Sequence, residues 1–364
     1  MKPLTTAALL SLLIACPAFA ANLKVPRDYP TIQAAVDAAG PGDVVVVSEG
    51  VYAENVVVDT KQDLTVRARG SDQVIIDPGG SGRGIAVARS ARIELQRLRV
   101  RNASSQGGIE VSASDNVRIT RCVVSDTERV AIELLDSPGS RIDRCTIENP
   151  GGTGIELDTD DCVVSDCSIR GSAYSGIRVF GNGNSIEGNV IELAARYGVS
   201  LGMTGHTCTD SLIRSNRIVA PAWSGIQCDA LSARCTIIEN IIDRPGGCGI
   251  NLDDGSENHI LEANTIVRPD DYGVHTVCSG AIFARNKIKR AGVSGVRMAA
   301  SASGCMLIGN RVNRSGEDGF KVYSSGNLFI QNRTRRSSLR GLFDSAAPGA
   351  NIYLDNSFDD GVGG

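Results

Sequence analysis

The sequence lacks the features that mark membrane-spanning proteins and nucleic-acid-binding proteins. After residue 20, no apolar stretch approaches the length of about 18 residues that a membrane-spanning helix requires. The formal net charge is −4, and the one concentrated basic segment, Arg333-Thr334-Arg335-Arg336, is expected to be a solvated turn. These absences exclude a bilayer-spanning segment and argue against nucleic acid as a partner.

Linkers and zinc-binding modules are lacking as well. No Pro/Ser-rich stretch interrupts the chain, which favours a single domain. Ten cysteines follow residue 20, but their spacing is not that of a zinc module. The informative feature of the sequence is instead an internal repeat.

That pattern is a repeated phrase of Gly, an aliphatic residue, any residue and a second aliphatic residue, in steps of 22 to 27 residues. A second apolar-polar phrase follows each one, as in Ile142-Asp143-Arg144. Steps this short leave no room for crossover helices, so the sequence predicts a coil of short parallel strands. The first phrase begins at Gly84, Gly108, Ala131, Gly154, Gly176, Gly198, Gly225, Gly249, Gly273, Gly295, Gly319 and Gly341.

An asparagine ends the second phrase in eight successive repeats, and stacked amides can hydrogen-bond along the axis of such a coil. Leu98, Cys122, Cys145 and Cys167 occupy the same slot earlier in the chain and are expected in the core. The ladder consists of Asn189, Asn216, Asn240, Asn264, Asn286, Asn310, Asn332 and Asn356.

With these phrases and this ladder, the chain resembles the right-handed parallel β-helix proteins of the pectate lyase-like superfamily, over roughly residues 22 to 360. The segment 25–55 is similar to the family's usual opening. Its residues Ile32, Ala35, Val36 and Ala39 lie at helical spacing, with Thr31 as N-cap, which predicts a short capping helix. The resemblance implies an all-β, single-domain right-handed parallel β-helix of about 12 or more coils.

The first 20 residues have the pattern of a secretory signal, with Lys2, an apolar run and a small-residue cleavage site at Ala18-Phe19-Ala20. An alternative is a lipoprotein signal in which Cys16 becomes the lipidated N-terminus. Either way the sequence predicts a periplasmic or secreted protein. The domain is expected to span residues 21–364, with a cap and first coils in 22–82 and regular coils in 83–358.

An exported protein with ten cysteines is expected to form disulfides. Cys208 and Cys278 each precede their ladder asparagine by eight residues, while Cys235 and Cys305 precede the next one by five. The same offset twice predicts the pairs Cys208–Cys235 and Cys278–Cys305, between adjacent coils. The alternative is that all ten are buried free thiols.

The third residue of each phrase faces outward and forms a column that changes character along the chain. Acids occupy the N-terminal part and bases the C-terminal part, with amides and a hydroxyl between them. Two positions further on the same face lie Asp158, Asp229 and Asp253. The column reads Ala86, Glu110, Glu133, Glu156, Arg178, Ser200, Gln227, Asn251, His275, Arg297, Lys321 and Phe343.

Aromatic residues precede several of the phrases and flank the polar column. Tyr174, Tyr197, Trp223 and Tyr272 would offer rings to the apolar face of a sugar, with polar groups for its hydroxyls beside them. A linear polysaccharide containing uronic acid is therefore the expected partner. Its substrate-binding residues would be Trp223, Tyr272, Tyr174, Tyr197, Arg178, Gln227, Asn251 and Tyr323.

Elimination or epimerisation of a uronate needs its carboxylate neutralised, a base for the C5 proton and a proton donor. Arg297 can neutralise and His275 can abstract the proton. Lys321 or Tyr323, one coil further, can donate, while Asn251 orients the carboxylate. The charged outer face can equally be a set of solvated ion pairs, which is the interpretation favoured for Glu110, Glu133 and Glu156.

Three alternatives stay open at this level. Asp229 and Asp253, in one slot of adjacent coils, would suit retaining glycoside hydrolysis, although the Gly-His-Gly motif of polygalacturonases is absent. Calcium is the one metal the sequence suggests, at Asp158-Thr159-Asp160-Asp161 or Asp253-Asp254. The third alternative is a non-catalytic envelope or glycan-binding scaffold, since Asp271-Tyr272-Gly273-Val274-His275 departs from the Asp-Pro-His-Asp of mannuronan epimerases.

Overall fold

The computed structural model describes residues 20–359 except 71–72, 105–106 and 203–204. Within these residues the chain winds as a solenoid, and each strand pairs in parallel with the equivalent strands of the neighbouring coils. The predicted secretory signal, apart from Ala20, and the lipoprotein cysteine Cys16 lie outside the described residues. Three long sheets result, which we name sheets I, II and III in the order met after each Gly phrase.

Sheet I contains the first phrase of every repeat and has 13 strands in the described part of the chain. Twelve of them begin directly after the predicted Gly or Ala, which confirms the repeat. Its strands are Val56–Asp59, Ile85–Ala88, Ile109–Ser112, Ile132–Leu135, Ile155–Asp158, Ile177–Phe180, Val199–Leu201, Ile226–Cys228, Ile250–Leu252, Val274–Thr276, Val296–Met298, Phe320–Val322 and Leu342–Asp344.

Sheet II contains the second phrase and has 15 strands among the described residues. It includes the two strands that precede the first full coil, so it begins earlier than the other sheets. Its strands are Asn22–Val25, Val44–Val47, Thr65–Ala68, Glu94–Gln96, Arg118–Thr120, Arg141–Asp143, Val163–Ser165, Ser185–Glu187, Leu212–Arg214, Thr236–Ile238, Ile260–Glu262, Ile282–Ala284, Met306–Ile308, Leu328–Ile330 and Ile352–Leu354.

Sheet III follows the asparagine turn, and the repeat phrases did not single it out. It has 13 strands in the part of the chain that is described. Its strands are Gly50–Tyr52, Val74–Ile76, Leu98–Arg101, Val123–Ser125, Thr146–Glu148, Ser168–Arg170, Val190–Glu192, Arg217–Val219, Ile241–Asp243, Thr265–Val267, Lys287–Ala291, Arg311–Ser315 and Arg333–Arg335. A small two-stranded ladder pairs Cys208–Thr209 with Ser232–Ala233.

The glycine of the first phrase is required by packing. A Cβ on Gly249 would lie 2.4 Å from a methyl group of Ile266 in sheet III and 2.5 Å from the carbonyl oxygen of Gly273. Both distances are far below van der Waals contact, so a side chain would force sheets I and III apart. The apolar residues beyond it, such as Ile250 and Leu252, are fully buried and form the core of the rod.

The predicted asparagine ladder is confirmed at the turn between sheets II and III. Asn264 illustrates it: Oδ1 accepts from both the backbone N–H and the Nδ2 of Asn240, each at 3.0 Å. Its own Nδ2 donates to the Ile237 carbonyl at 2.8 Å and to Asn286 Oδ1 at 3.0 Å. The amide therefore satisfies backbone groups that would otherwise be buried without partners.

A second ladder, at the turn between sheets I and II, was not predicted. The backbone N–H of Cys305 donates to Asn327 Oδ1, and that of Asn327 donates to Asn351 Oδ1, both at 2.9 Å. The fully buried His259 has the same task, because its Nδ1 accepts from the Cys235 backbone at 3.2 Å. This histidine is a structural residue of the turn.

The N-terminal end of the rod is covered by the predicted capping helix, Ile32–Ala38. Thr31 is its N-cap and accepts a hydrogen bond from the Ala34 backbone at 3.0 Å, as expected. Ile32, Ala35 and Val36 are buried against the first coils. No helix among the described residues is long and apolar enough to cross a membrane.

The ten cysteines of the described chain are all buried free thiols, so the predicted disulfides are not formed in this structure. Cys208 and Cys235 do lie in adjacent coils, as do Cys278 and Cys305. In each pair the sulfur of the later cysteine lies 3.5 Å from the carbonyl oxygen of its partner. Oxidation of these pairs stays a prediction, whereas the core position of Cys122, Cys145 and Cys167 is confirmed.

Candidate functional site

The outward residues of sheet I form one continuous column, as the repeat register predicts. Residues at the third position of each phrase are direct partners across neighbouring strands, from Ala86 at one end to Phe343 at the other. Adjacent side chains are one coil apart, or about 4.8 Å. Neighbours in the column can therefore hydrogen-bond directly, and those at its centre do.

The centre of the column is a directional chain of hydrogen bonds. An Nη of Arg297 donates to Nε2 of His275, and Nδ1 of His275 bonds to Oδ1 of Asn251 at 2.8 Å. The Nδ2 of Asn251 then donates to Oε1 of Gln227 at 3.0 Å. Because a guanidinium can only donate, the imidazole must accept at Nε2 and carry its hydrogen on Nδ1. This chain fixes the tautomer of the histidine.

The same surroundings keep His275 neutral. Burial and the adjacent Arg297 guanidinium lower the pKa of His275, and the opposing attraction of Asp253 and Asp271 is weaker. The Nε2 lone pair is therefore present at neutral pH, in a half-buried position beside a permanent positive charge. A neutral imidazole of fixed tautomer next to a guanidinium is the arrangement that a general base for an acidic substrate requires.

Asp229 and Asp253 lie at the far end of this chain and share one donor. The Nε2 of Gln227 donates to Asp229 Oδ1 at 3.0 Å and to Asp253 Oδ2 at 3.1 Å. The pKa of Asp229 is raised, first by burial and then by the Asp253 charge, so repulsion between the two carboxylates is the smaller cause. The structure thus brings the two carboxylates together, with the Gln227 amide between them.

Lys321 does not join the hydrogen-bonded chain, although it is the strand partner of Arg297. Its Nζ donates to Glu317 Oε2 at 2.6 Å, and this bond raises the pKa of the ammonium. A more tightly held proton makes Lys321 a poorer acid than expected. Tyr323 is better placed, since its ring is 38% exposed and lies 5.6 Å from the Arg297 guanidinium.

The N-terminal half of the column consists of ion pairs. Glu110 accepts from Arg83 at 2.5 Å, and Glu156 lies 3.4 Å from the Arg178 guanidinium. Glu133, between the two acids, has its pKa raised by burial and then by Glu156 and Glu110. These contacts agree with the structural interpretation favoured for the three glutamates.

The aromatic residues expected to bind sugar are partly engaged by arginines. The Arg196 guanidinium lies 3.9 Å from the Tyr174 ring centroid and 4.9 Å from that of Trp223, so it is sandwiched between them. The Arg178 guanidinium also lies near this ring, 5.0 Å from the Tyr174 centroid. Trp223 is 48% exposed and keeps surface for a ligand, whereas Tyr174 is largely covered. Arg196 was missed, although it precedes its Gly phrase by two residues, as Tyr174 and Trp223 do.

Tyr197 and Tyr272 occupy the next position, directly before the glycine. The Tyr197 ring meets Trp223 edge-on at 5.4 Å, and burial with the nearby Asp229 and Asp253 charges raises its pKa to about 12. The Tyr272 ring lies 5.5 Å from the His275 ring. The structure therefore places both tyrosines along one edge of the hydrogen-bonded chain.

A cavity of about 460 Å³ lies beside the column, at the carboxyl ends of earlier sheet I strands. Asp158, which the sequence singled out, lines it together with Asp136, Phe180 and His206. The Phe180 and His206 rings are 4.8 Å apart. The repeat register gave no signal for His206, because the turn that carries it belongs to the longest repeat, of 27 residues. Phe180 is the strand partner of Asp158 but is apolar, so it was not singled out.

The oxygens suggested for calcium do not converge on one point. Asp160 Oδ1 accepts from the Asn182 backbone at 2.6 Å, so it serves the turn of the next coil. No group of three or more His, Cys, Asp or Glu side chains within the described residues is arranged to hold a metal ion. The donor set in this structure therefore does not fit the suggested calcium sites.

These features define a parallel β-helix with a polar column on one sheet. The chain belongs to the right-handed β-helix family, whose description, "Right handed beta helix region", matches residues 72–218, 107–266 and 175–339. The expected fold and the resemblance are thereby confirmed, including the hand of the coil. No curated protein matches the chain in sequence.

Solved structures with similar folds include a phage tailspike domain and two epimerases. The receptor-binding domain of the Siphovirus 9NA tailspike has 12% identity and a TM-score of 0.69, over 95% of this chain and 78% of that chain. The A-module of a mannuronan C-5 epimerase from Azotobacter vinelandii has 15% identity and a TM-score of 0.59, over 90% and 94%. A periplasmic alginate epimerase has 14% identity and a TM-score of 0.60, over 86% and 83%. At such identities the likeness establishes the fold alone.

Proposed function

We propose that this protein binds an acidic polysaccharide along sheet I and abstracts the C5 proton of a uronate residue, with His275 as base. The observation that carries the proposal is the hydrogen-bonded chain from Arg297 through His275 to Asn251. It provides a neutral base of fixed tautomer beside a fixed positive charge. The export predicted from the first 20 residues belongs to the same proposal, since polysaccharides of this kind lie outside the cytoplasm.

Arg297 supplies what makes the C5 proton removable. The proton lies next to a carboxylate, and its loss places a second negative charge on that group unless a cation neutralises it. The guanidinium has five N–H donors. It can therefore exchange its hydrogen bond to His275 Nε2 for one to the substrate carboxylate without leaving its position beside the histidine. The C5–H bond then breaks, Nε2 takes the proton, and the electron pair moves into the carboxylate as an enediolate.

The fate of the enediolate decides between two reactions. If the C4–O4 bond breaks, the electron pair forms a C4–C5 double bond and O4 takes a proton, which is polysaccharide lysis. If C5 is protonated from the opposite face, the residue is epimerised. Tyr323 is the proton donor that the geometry favours in either case, because its exposed ring lies beside Arg297 while Lys321 is held by Glu317.

The sugar would be positioned by residues on both sides of the base. Trp223 is half-exposed and can stack on the apolar face of a pyranose ring. Two of the structurally similar proteins are, by their descriptions, a mannuronan C-5 epimerase and an alginate epimerase. Their descriptions support a search among polyuronates, although the choice of sugar and linkage is left to experiment.

The test is a panel of alginate, pectate, a glycosaminoglycan and a neutral glucan, incubated with the full chain and with His275→Gln. Lysis is followed by the ultraviolet absorbance of the unsaturated product, and epimerisation by incorporation of deuterium at C5 from heavy water. We expect one of the two signals on a polyuronate, and its loss in the variant. The catalytic proposal would be overturned if both signals were absent on every polymer of the panel.

A second candidate function is a non-catalytic glycan-binding scaffold. The observation in its favour is that Arg297 already occupies the lone pair of His275, so the base is blocked in the unliganded protein. A scaffold would bind the polyuronate without product and would tolerate His275→Gln with little loss of affinity. Binding to each polymer, measured beside the activity panel, separates the two functions.

A further inference from the structure

The last three coils carry an outward basic surface on sheet III that the proposed reaction does not use. Strand partners bring equivalent residues of these coils into rows. An arginine with positive φ at the corner of each coil continues the pattern, at Arg290, Arg314 and Arg336. We name this surface the basic face; it consists of Lys287, Lys289, Arg290, Arg311, Arg314, Arg333, Arg335 and Arg336.

All eight side chains are exposed. None of them has a carboxylate within ion-pair distance among the residues that the structure describes, whereas the neighbouring arginines are paired. Arg268, one coil earlier, bonds to Asp243 at 2.9 Å, and Arg285 on sheet II bonds to Glu262. The basic face is therefore a local excess of positive charge on a chain whose formal net charge is −4.

The segment 333–336 was expected to be an isolated solvated turn, and the structure changes that interpretation. Arg333 is the strand partner of Arg311, which is in turn the partner of Lys287. One row thus carries three positive charges at the spacing of the coils, about 4.8 Å. Mutual repulsion at this spacing costs free energy, which an anionic partner would relieve.

Two open depressions follow the rows. One, of about 390 Å³, is lined by basic side chains of the strands, including Lys289 and Arg335. The other, of about 520 Å³, is lined by the corner arginines Arg290, Arg314 and Arg336. Both run across successive coils, so an extended chain lying along the rod axis would meet a cation at each coil.

We propose that the basic face is a second binding surface, for a linear anionic polysaccharide, separate from the sheet I column. The coil repeat is close to the length of one sugar residue in a linear chain, and arginine forks suit carboxylates and sulfates. The face has no aromatic side chain on which the bases of single-stranded nucleic acid would stack. Its members are all Lys and Arg, whereas insertion into a membrane would need exposed apolar side chains within the face itself.

The test compares two triple variants with equal loss of charge. Lys287→Gln/Arg311→Gln/Arg333→Gln removes one row of the basic face. The matched control, Arg99→Gln/Arg118→Gln/Arg121→Gln, removes three exposed basic residues of the N-terminal coils. Both are made in full-length protein that also carries Arg297→Gln, which removes the carboxylate contact proposed for sheet I.

Binding of pectate and alginate is measured against salt, with duplex DNA, single-stranded DNA and anionic vesicles as rival probes. We expect the basic-face variant to bind polysaccharide about tenfold more weakly, a loss of about 1.4 kcal/mol, with a shallower salt dependence. The control should stay within about twofold. Equal weakening in both variants, or tighter binding of DNA or vesicles than of polysaccharide at the same salt, would overturn the proposal.

Because the background already lacks Arg297, these results do not depend on the reaction proposed for sheet I. Unchanged polysaccharide binding in the basic-face variant would contradict only the basic face, and a lack of product from the unmodified chain would contradict only the reaction.

Discussion

The two halves of the sheet I column have the same backbone but opposite electrostatics. In the N-terminal half, Glu110, Glu133 and Glu156 stack as like charges and depend on arginines for compensation. In the C-terminal half, donors and acceptors alternate, so Gln227, Asn251 and His275 bond to one another in a single direction. Stacking is imposed by the fold, but a functional arrangement arises only where neighbouring groups are complementary.

The two halves also differ in the cause of their shifted pKa values. Glu133 has a raised pKa because it is partly buried and, to a smaller extent, because the like charges of Glu156 and Glu110 are stacked beside it. His275 has a lowered pKa in a network that also sets its tautomer. A shifted pKa therefore indicates a functional site only when the surrounding hydrogen bonds give the group a defined task.

The largest effect that separates the two halves is expected from loss of the base. His275→Gln should lower kcat/KM on the responsive polyuronate by about 10³-fold, since a positioned general base contributes about 10² to 10⁴. Glu133→Gln, in the other half, should leave the rate within about twofold. Initial rates of both variants, with thermal unfolding to verify the fold, check this prediction; equal losses would remove the distinction between the halves.

The next effect concerns the scaffold that both halves share. Asn264→Ala removes the acceptor for the Asn240 backbone and side chain, leaving buried donors without partners. We expect the free energy of unfolding to fall by about 2–4 kcal/mol. Chemical denaturation measures it. The matched control is Asn356→Ala at the end of the ladder, where the side chain is only half-buried and the loss should be smaller.

The third effect is the pH dependence of activity, which depends on the His275 half of the column. Because the pKa of His275 is lowered from its ordinary value of 6.5, the neutral base is retained to more acidic pH than for an exposed histidine. The acidic limb of kcat/KM should therefore have its midpoint below 6.5, and Arg297→Gln should move it upward by removing a repelling charge. A limb above 6.5 in the unmodified protein would contradict the assigned surroundings.

The smallest effect belongs to the stacked glutamates. The raised pKa of Glu133 means that its ionised form is disfavoured in the folded state, so the cost is present at neutral pH and disappears below its ordinary value of 4.5. Glu133→Gln should stabilise the protein by about 0.5–1 kcal/mol at neutral pH and by nothing at acidic pH. Denaturation at both values measures this difference. Destabilisation at neutral pH would show that the glutamate is needed.

Much of the fold could be predicted because its strongest constraints leave a residue signature. The approach of Ile266 to Gly249 permits no side chain, and the turn at Asn264 requires an amide, so both recur in register. Sheet III has a signature that the repeat phrases did not use, an Ile or Val two residues after most ladder asparagines, as Ile266 follows Asn264. Its outward residues vary, as in the strand Lys287–Ala291, so only the segment 333–336 of the basic face stood out in the sequence, where a solvated turn was expected.

The site was predictable in its position but not in its connections. The register placed His275 beside Arg297, whereas the pairing of Lys321 with Glu317 depends on how the preceding turn folds back over the strand. The cover of Tyr174 by Arg196 depends on side-chain packing between coils. The repeat determines which residues lie side by side in adjacent coils. It does not determine which of them form side-chain hydrogen bonds or ring contacts.

The most direct test of the account is the protonation state of His275, read from the ring nitrogens by nitrogen-15 NMR. The chain has three histidines, and the signals that disappear in His275→Gln assign this one. We expect a neutral ring at neutral pH, with its hydrogen on Nδ1 and a titration midpoint below 6.5. An imidazolium at neutral pH, or a neutral ring with its hydrogen on Nε2, would contradict it.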